Sequence, residues 1–251
     1  SFNLHLEKGK ILLSQENPSE ALRALRKAKP ILKEEDDFIY YATALLQTDN
    51  PHEAWPYLKK LSSNTKNGKV MALLGDSCFR MKNYRKAIFY YKQAQDLQWN
   101  NYRITSRLAQ SLQCIGKYKE AEGFFLEILH KDPSDIPATL GYGACLEAHG
   151  KHEEALDIYQ KGEAWDAGTP IILRQAGICA THIMHYDFAE IYLRESIQRG
   201  AQTPQALAFL GFCLEKLFRW EEAEEIYLRL VAEFPRHAAG YQALAWLYGV
   251  G

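Results

Sequence analysis

The chain has 251 residues, 47% apolar and 24% charged, which is long enough for a sizeable core and too hydrophobic for a disordered segment. No apolar run approaches the roughly 18 residues of a membrane helix, and Ser1-Phe2-Asn3-Leu4 offers neither a basic region nor a cleavage site, so neither membrane insertion nor a targeting signal is read. The formal charge of -1 hides a division: residues 1 to 133 carry 21 Lys and Arg against 15 Asp and Glu, and residues 134 to 251 carry 9 against 16.

Valine is confined to Val70, Val231 and Val250 while helix formers dominate, so the composition reads all-α. Five cysteines without a CxxC pair indicate neither a disulfide framework nor a zinc site, and they favour a reducing, cytoplasmic compartment. The start without Met and the stop at Tyr248-Gly249-Val250-Gly251, within an amphipathic segment, read as an excised piece of a longer protein.

An alanine recurs at Ala21, Ala54, Ala87, Ala121, Ala155, Ala189 and Ala223, at steps of 33 or 34 residues. With that alanine as position 20, position 8 is small and positions 11 and 24 are apolar. The first unit then has Gly9 and Leu12, a turn at Asn17, and Ala21 and Leu25. The second follows with Ala42, Leu45, Asn50-Pro51, Ala54 and Leu58, and the third with Gly75, Cys78, Asn83, Ala87 and Tyr91. Ala109, Leu112, Gly116, Ala121 and Phe125 mark the fourth, and Gly143, Leu146, Gly150, Ala155 and Tyr159 the fifth. The sixth has Gly177, Ala180, Met184-His185, Ala189 and Leu193; the seventh has Gly211, Leu214, Ala223 and Tyr227; Ala245 and Tyr248 open an eighth. Pro133, Pro170, Pro204 and Pro235 fall near unit boundaries.

At 100° per residue, positions 4, 7, 8 and 11 share one helical face, as do 20, 24 and 27. Each unit is therefore predicted to be two antiparallel helices, brought close by the small residues at 8 and 20. Seven pairs and one opening helix give about fifteen helices.

The runs Leu210-Gly211-Phe212-Cys213-Leu214, Trp220-Glu221-Glu222-Ala223, Tyr227 and Pro235, and Leu108-Ala109, Leu112, Gly116-Lys117-Tyr118, Ala121, Phe125 and Pro133, resemble the tetratricopeptide repeat family. The resemblance extends over the whole chain. Departures are His5 at position 4, Leu61 at position 27 and Met184-His185 in place of the turn glycine. It implies an α-solenoid, a right-handed superhelix of stacked antiparallel helix pairs, forming one domain over residues 1–251. The implied function is a scaffold that holds a protein or peptide segment in a concave groove lined by the first helix of each unit.

Catalysis finds little support. Cys179, His182 and His185, spaced by three, step by about 300° each around a helix and His185 falls in the turn, while His149 and His152 flank another turn. No nucleophile motif, phosphate loop or HExxH helix occurs, so no enzyme, cofactor or metal is expected. Cys145, Cys179 and Cys213 all fall at position 10, where successive units are too far apart for a disulfide; they read as small packing residues.

Positions 2, 5, 9 and 12 point away from the packing seam and are expected to line the groove. Toward the C-terminus they supply an apolar strip of Leu140, Ile178, Ala208, Phe212 and Trp246, with Arg174 beside Ile178 to pair with an acidic group of the partner. The competing reading is core, covered by residues beyond the C-terminus. The middle units present Lys69, Asp76, Arg80, Arg103, Arg107, Gln110 and Gln113. Their complement is a polar or acidic peptide, and the plainer alternative is solvated surface charge. Asn is absent from positions 6 and 9, so the chaperone-tail clamp that the family resemblance would imply is missing.

Arg80, Lys82, Arg85, Lys86 and Lys92 interleave with Tyr84, Tyr90 and Tyr91, but Tyr84 and Tyr91 fall in core columns and the chain is nearly neutral, so nucleic acid is not expected. The charge division predicts weak head-to-tail self-association that fades with salt. The functional expectation is a non-enzymatic adaptor. A chaperone-like holder of exported or unfolded clients, and a targeting or regulatory arm of a larger enzyme, are the alternatives.

Overall fold

The computed structural model describes residues 2–165 and 169–249, with side chains through residue 162 in the first stretch. Among the described residues the secondary structure is fifteen α-helices and one 3-10 turn at Lys29–Ile31, with no strand. The helices come in hairpins: α1 (Phe2–Ser14) with α2 (Pro18–Ala28), α3 (Glu35–Gln47) with α4 (Pro51–Asn64) and α5 (Gly68–Arg80) with α6 (Tyr84–Asp96), after which come α7 (Tyr102–Cys114) and α8 (Tyr118–Lys131). Then follow α9 (Ile136–Ala148) with α10 (His152–Trp165), α11 (Pro170–His182) with α12 (Tyr186–Gln198), α13 (Pro204–Lys216) with α14 (Trp220–Glu233), and α15 (Ala238–Leu247). Two compact units divide the chain, unit 1 at Ser1–Phe124 and unit 2 at Phe125–Gly251.

Local chemistry sets the helix starts. Side-chain oxygens of Asn17, Asn83, Asn101, Asp135 and Thr203 accept from backbone N–H groups of the first turns that follow them. Pro18, Pro51, Pro170 and Pro204 stand at first helical positions, where a missing N–H costs nothing.

The hairpin turns carry the expected markers, Gly116 (φ 78°) and Gly150 (φ 72°) at position 15 and Asn17, Asn50 and Asn83 as the caps at position 16; the left-handed residue of each turn is at position 15, and in the other hairpins it is not glycine. Glu16, Asp49, Lys82, Met184 and Phe218 adopt φ between 57° and 64° there. Each costs of order 1 kcal/mol over glycine. A six-residue turn bond compensates, from the position 16 N–H to the position 11 carbonyl, as in Asn83 to Cys78 at 2.8 Å and Arg219 to Leu214 at 2.9 Å.

Where position 8 is a glycine, at Gly9, Gly75, Gly143, Gly177 and Gly211, it lies under position 24. A Cβ added to Gly75 would sit 2.5 Å from the Tyr91 ring, one on Gly143 2.4 Å from Tyr159, and one on Gly211 2.3 Å from Tyr227. Those three rings are buried, and two of their hydroxyls visibly find carboxylates on the paired helix: Tyr91 donates to Asp76 at 2.8 Å and Tyr159 to Glu147 at 2.5 Å. Tyr227 has Glu215 in the same role. Burial, reinforced by the adjacent carboxylate, raises all three phenols far above their ordinary pKa. The first helices of successive hairpins also touch directly, α1 on α3, α3 on α5 and α5 on α7 in unit 1, and α11 on α13 in unit 2.

Candidate functional site

Because first helices touch their successors, one flank of each is covered. Position 5 is closed at Ile39, Ala72 and Ser106, and position 12 at Leu46, Thr181 and Glu215. The more accessible row therefore runs 2-6-9-13, the i, i+4, i+7, i+11 row of a helix, instead of the expected 2-5-9-12, and it is itself covered at Leu73, Asp76, Gly141 and Ile178. Position 9 borders the next first helix, as Lys10 shows by reaching Asp37 of α3 at 3.2 Å and Asp76 by pairing with Arg103 of α7.

In unit 1 this stripe is cationic. Lys10 of α1 and Lys69 of α5 each place an ammonium 5.6 Å from the centre of the Tyr40 ring. Asp76 is 8% exposed, takes the Tyr91 hydroxyl on one oxygen and the Arg103 guanidinium on the other. Arg107 covers the Phe79 ring at 4.4 Å, and Arg80 is exposed and pairs with Asp49 at 3.0 Å. Gln110 is half-buried and donates to Ser106 at 3.2 Å. A groove of about 400 Å³ opens between α3, α5 and α7, floored by Ala72, Leu73, Trp99 and Tyr102 and edged by Lys69 and Arg103.

Unit 2 carries aromatic groups on the same stripe. Phe212 is 39% exposed, meets Tyr186 edge-on at 6.2 Å and lies 5.0 Å from the Lys216 ammonium. It closes one side of a pocket of about 390 Å³ shared by Thr181, His182, Met184, Tyr186, Ala208 and Phe209. Trp246 is 61% exposed, and its ring lies 6.4 Å from that of Trp220, which in turn meets Phe218. His182 stacks on His152 at 4.5 Å with Phe209 edge-on at 5.7 Å. Burial, then the neighbouring His152, lowers the pKa of His182. Among the described residues no group of three or more His, Cys, Asp and Glu could hold a metal ion.

The predicted apolar strip is interrupted. Ile178 is only 8% exposed, because position 9 of α11 abuts α13; Leu140 and Ala208 are half-buried at position 5. Arg174 is half-buried too, with its Nε on Gln175 Oε1 at 3.4 Å, and Gln175 leads on to Glu147. Phe212 and Trp246 remain open. Of the tyrosines weighed for base stacking, Tyr90 and Tyr91 are buried and Tyr84 is half-buried. Sequence reasoning missed Tyr40, Phe209 and Lys216, and weighed His182 only as a metal ligand. Their common signal is position 6 or 13, which completes the stripe.

The tetratricopeptide repeat family profile matches residues 68–101, 106–168 and 210–237. Tetratricopeptide repeat protein 21A of the mouse is 31% identical over 97 residues, covering 37% of this chain and 7% of that protein, so the match involves a small part of that relative. A solved tetratricopeptide repeat protein from Parabacteroides merdae superposes with a TM-score of 0.67 at 13% identity, covering 98% of both chains. YrrB, described as a TPR protein with an unusual peptide-binding site, superposes with a TM-score of 0.63 at 19% identity over 73% of this chain and 96% of its own. At such identities these structures attest the fold, an all-α helical repeat solenoid. No described helix is long and apolar enough to cross a membrane. The repeat columns, the helix hairpins and the profile matches agree, and the chain belongs to the tetratricopeptide repeat family.

Proposed function

We propose that the chain is a non-enzymatic adaptor that captures a segment of a partner protein on the exposed faces of its first helices. The observation that carries this reading is Phe212, a large aromatic side chain left 39% exposed beside an open pocket of about 390 Å³. Apolar side chains gathered at a concave site are the usual anchors of an interface. Lys216 over the ring adds a charge that orients an incoming segment. YrrB, whose description names a peptide-binding site, supports the reading by analogy of fold. The four buried, unbridged cysteines suit a reducing compartment such as the cytoplasm.

The test begins with selection of peptide ligands from a display library, followed by paired measurement of affinity and melting temperature. Phe212→Ala is expected to weaken binding by about 2 kcal/mol, roughly 30-fold, with little loss of stability. Leu214→Ala, fully buried two residues on, should instead unfold the protein more readily. If Phe212→Ala destabilises as strongly as Leu214→Ala while the folded fraction binds normally, position 9 is core and the reading fails.

A chaperone-like holder is the second reading, favoured by the exposed Phe218, Trp220 and Trp246. It predicts that many unrelated apolar peptides bind with similar affinity. One saturable consensus from the selection would exclude it.

A further inference from the structure

Unit 1 offers a surface that shares no residue with the Phe212 pocket. Along α5, Lys69 stands at one end of the row and Arg80 at the other, eleven residues apart in sequence, with Leu73 and Asp76 buried between them. At the helical rise of 1.5 Å per residue this separation is about 16 Å. The first end is a cationic corner in which Lys10 and Lys69 both face the Tyr40 ring. At the second end Arg107 lies over Phe79, next to Arg80 in sequence. Arg103 stands between them on α7, and an apolar bed of Ala72, Leu73, Trp99 and Tyr102 adjoins the first end.

The charges on this face are incompletely cancelled. Asp76 takes Arg103, Asp49 takes Arg80, and Asp37 with Glu7 takes Lys10. Among the described residues neither Lys69 nor Arg107 pairs with a carboxylate; each is held over an aromatic ring instead. That arrangement fixes the cation and leaves its charge available. The wider field has the same sign, since residues 1–124 carry 20 Lys and Arg against 13 Asp and Glu.

We propose that this face docks an extended acidic peptide segment of a partner protein, with an apolar side chain on the Trp99–Tyr102 bed and carboxylates at both ends of α5. The span of about 16 Å corresponds to about five residues of extended chain, so two acidic clusters separated by about five residues fit Lys69 at one end and Arg107 with Arg80 at the other. Asp76 acts as an internal competitor. Its carboxylate occupies Arg103, and it is itself held by the buried Tyr91 hydroxyl. The segment binds against that competitor, which predicts that removing the carboxylate tightens binding, whereas loss of a merely structural residue would not.

The experiment uses the whole chain and a fluorescein-labelled, amidated probe, Glu-Glu-Phe-Gly-Ser-Gly-Ser-Glu-Glu, with a second probe carrying Gln for every Glu. Anisotropy titrations run at about 50 and about 300 mM salt, where screening differs by more than twofold in length. Saturable binding of the acidic probe is expected, weakened by salt, with the Gln probe at least about tenfold weaker. Lys69→Glu and Arg107→Glu should each lose about tenfold with unchanged melting, Asp76→Asn should gain about threefold, and Phe212→Ala should have no effect. Absence of saturable binding, equal affinity for the two probes, or charge reversals without effect would overturn the proposal. So would a single-stranded oligonucleotide that displaces the probe at the same concentration as unlabelled peptide, since the face would then select polyanions in general. Failure here with an intact Phe212 effect leaves the adaptor reading standing, and the reverse result leaves this surface standing.

Discussion

Unit 1 places Lys69, Arg103 and Arg107 on the stripe where unit 2 places Phe209, Phe212 and Lys216, yet beneath both stripes a glycine at position 8 lies against a tyrosine at position 24. Gly75 with Tyr91 and Gly211 with Tyr227 are the same joint in two settings. The difference teaches that packing and presentation occupy separate rows of one helix. Positions 8 and 11 face the partner helix, while 2 and 13, and 6 and 9 wherever the next first helix does not cover them, carry ammonium groups in one unit and aromatic rings in the other. A repeat can therefore change its ligand chemistry without rebuilding its core.

The shared joint can be broken most severely at its ring. Tyr91→Ala and Tyr227→Ala should each cost about 3–5 kcal/mol, read as urea unfolding, because each empties a fully packed space and removes a hydroxyl donor from a carboxylate. Similar losses in the two units are expected; a large loss in only one would mean that the joint is used unequally. The next largest effect comes from the other partner in the joint. Gly75→Ala and Gly211→Ala should destabilise by about 1–3 kcal/mol, since the new methyl group meets a ring edge with no room to withdraw.

Smaller effects separate the turns. Gly116→Ala in unit 1 should lower stability by about 1 kcal/mol, because alanine pays for a left-handed backbone that glycine adopts freely. Phe218→Gly in unit 2 is the converse: it relieves the same cost and is expected to hold or slightly raise the melting temperature, although it removes an aromatic ring.

The weakest effect is specific to unit 2 and depends on pH. His182 has a depressed pKa in the folded chain, through burial and then through His152, with Glu147 opposing. The unfolded chain therefore binds the proton more readily, and stability rises with pH. Its contribution is complete above the ordinary histidine value of 6.5 and is lost as pH falls through the depressed native value. His182→Gln should flatten the melting profile between about pH 7 and 5. A profile as steep as that of the unmodified chain would assign the acid sensitivity elsewhere.

Much of this architecture is legible in the residues. Columns 8, 11, 20 and 24 repeat because packing punishes deviation at each, so Ala21 to Ala223 announce the hairpins directly. The stripe was harder to read. Periodicity gives the direction away from the packing seam, but the flank that a first helix hides against its successor is a tertiary fact, which is why Ile178 and the position 5 residues lie deeper than their spacing suggests. The tyrosine joint was visible in principle. Gly75-Asp76 with Tyr91, Gly143 and Glu147 with Tyr159, and Gly211 and Glu215 with Tyr227 each combine glycine at 8, an acid at 9 or 12 and tyrosine at 24. The His152–His182 stack had no such signal, since a single instance makes no column.

The cysteines of the chain have a practical consequence. Cys78, Cys145, Cys179 and Cys213 are buried, and Cys114, at the last position of α7, is exposed. Burial pushes the Cys78 and Cys213 thiols up to about 11 and raises Cys179 further, so none of these three supplies a thiolate at neutral pH. Maleimide chemistry on the native chain is thus directed to one atom, the Cys114 sulfur, four residues beyond Gln110 on the helix that carries Arg103 and Arg107. A dye placed there reports on the cationic face of unit 1 without engineering a single residue.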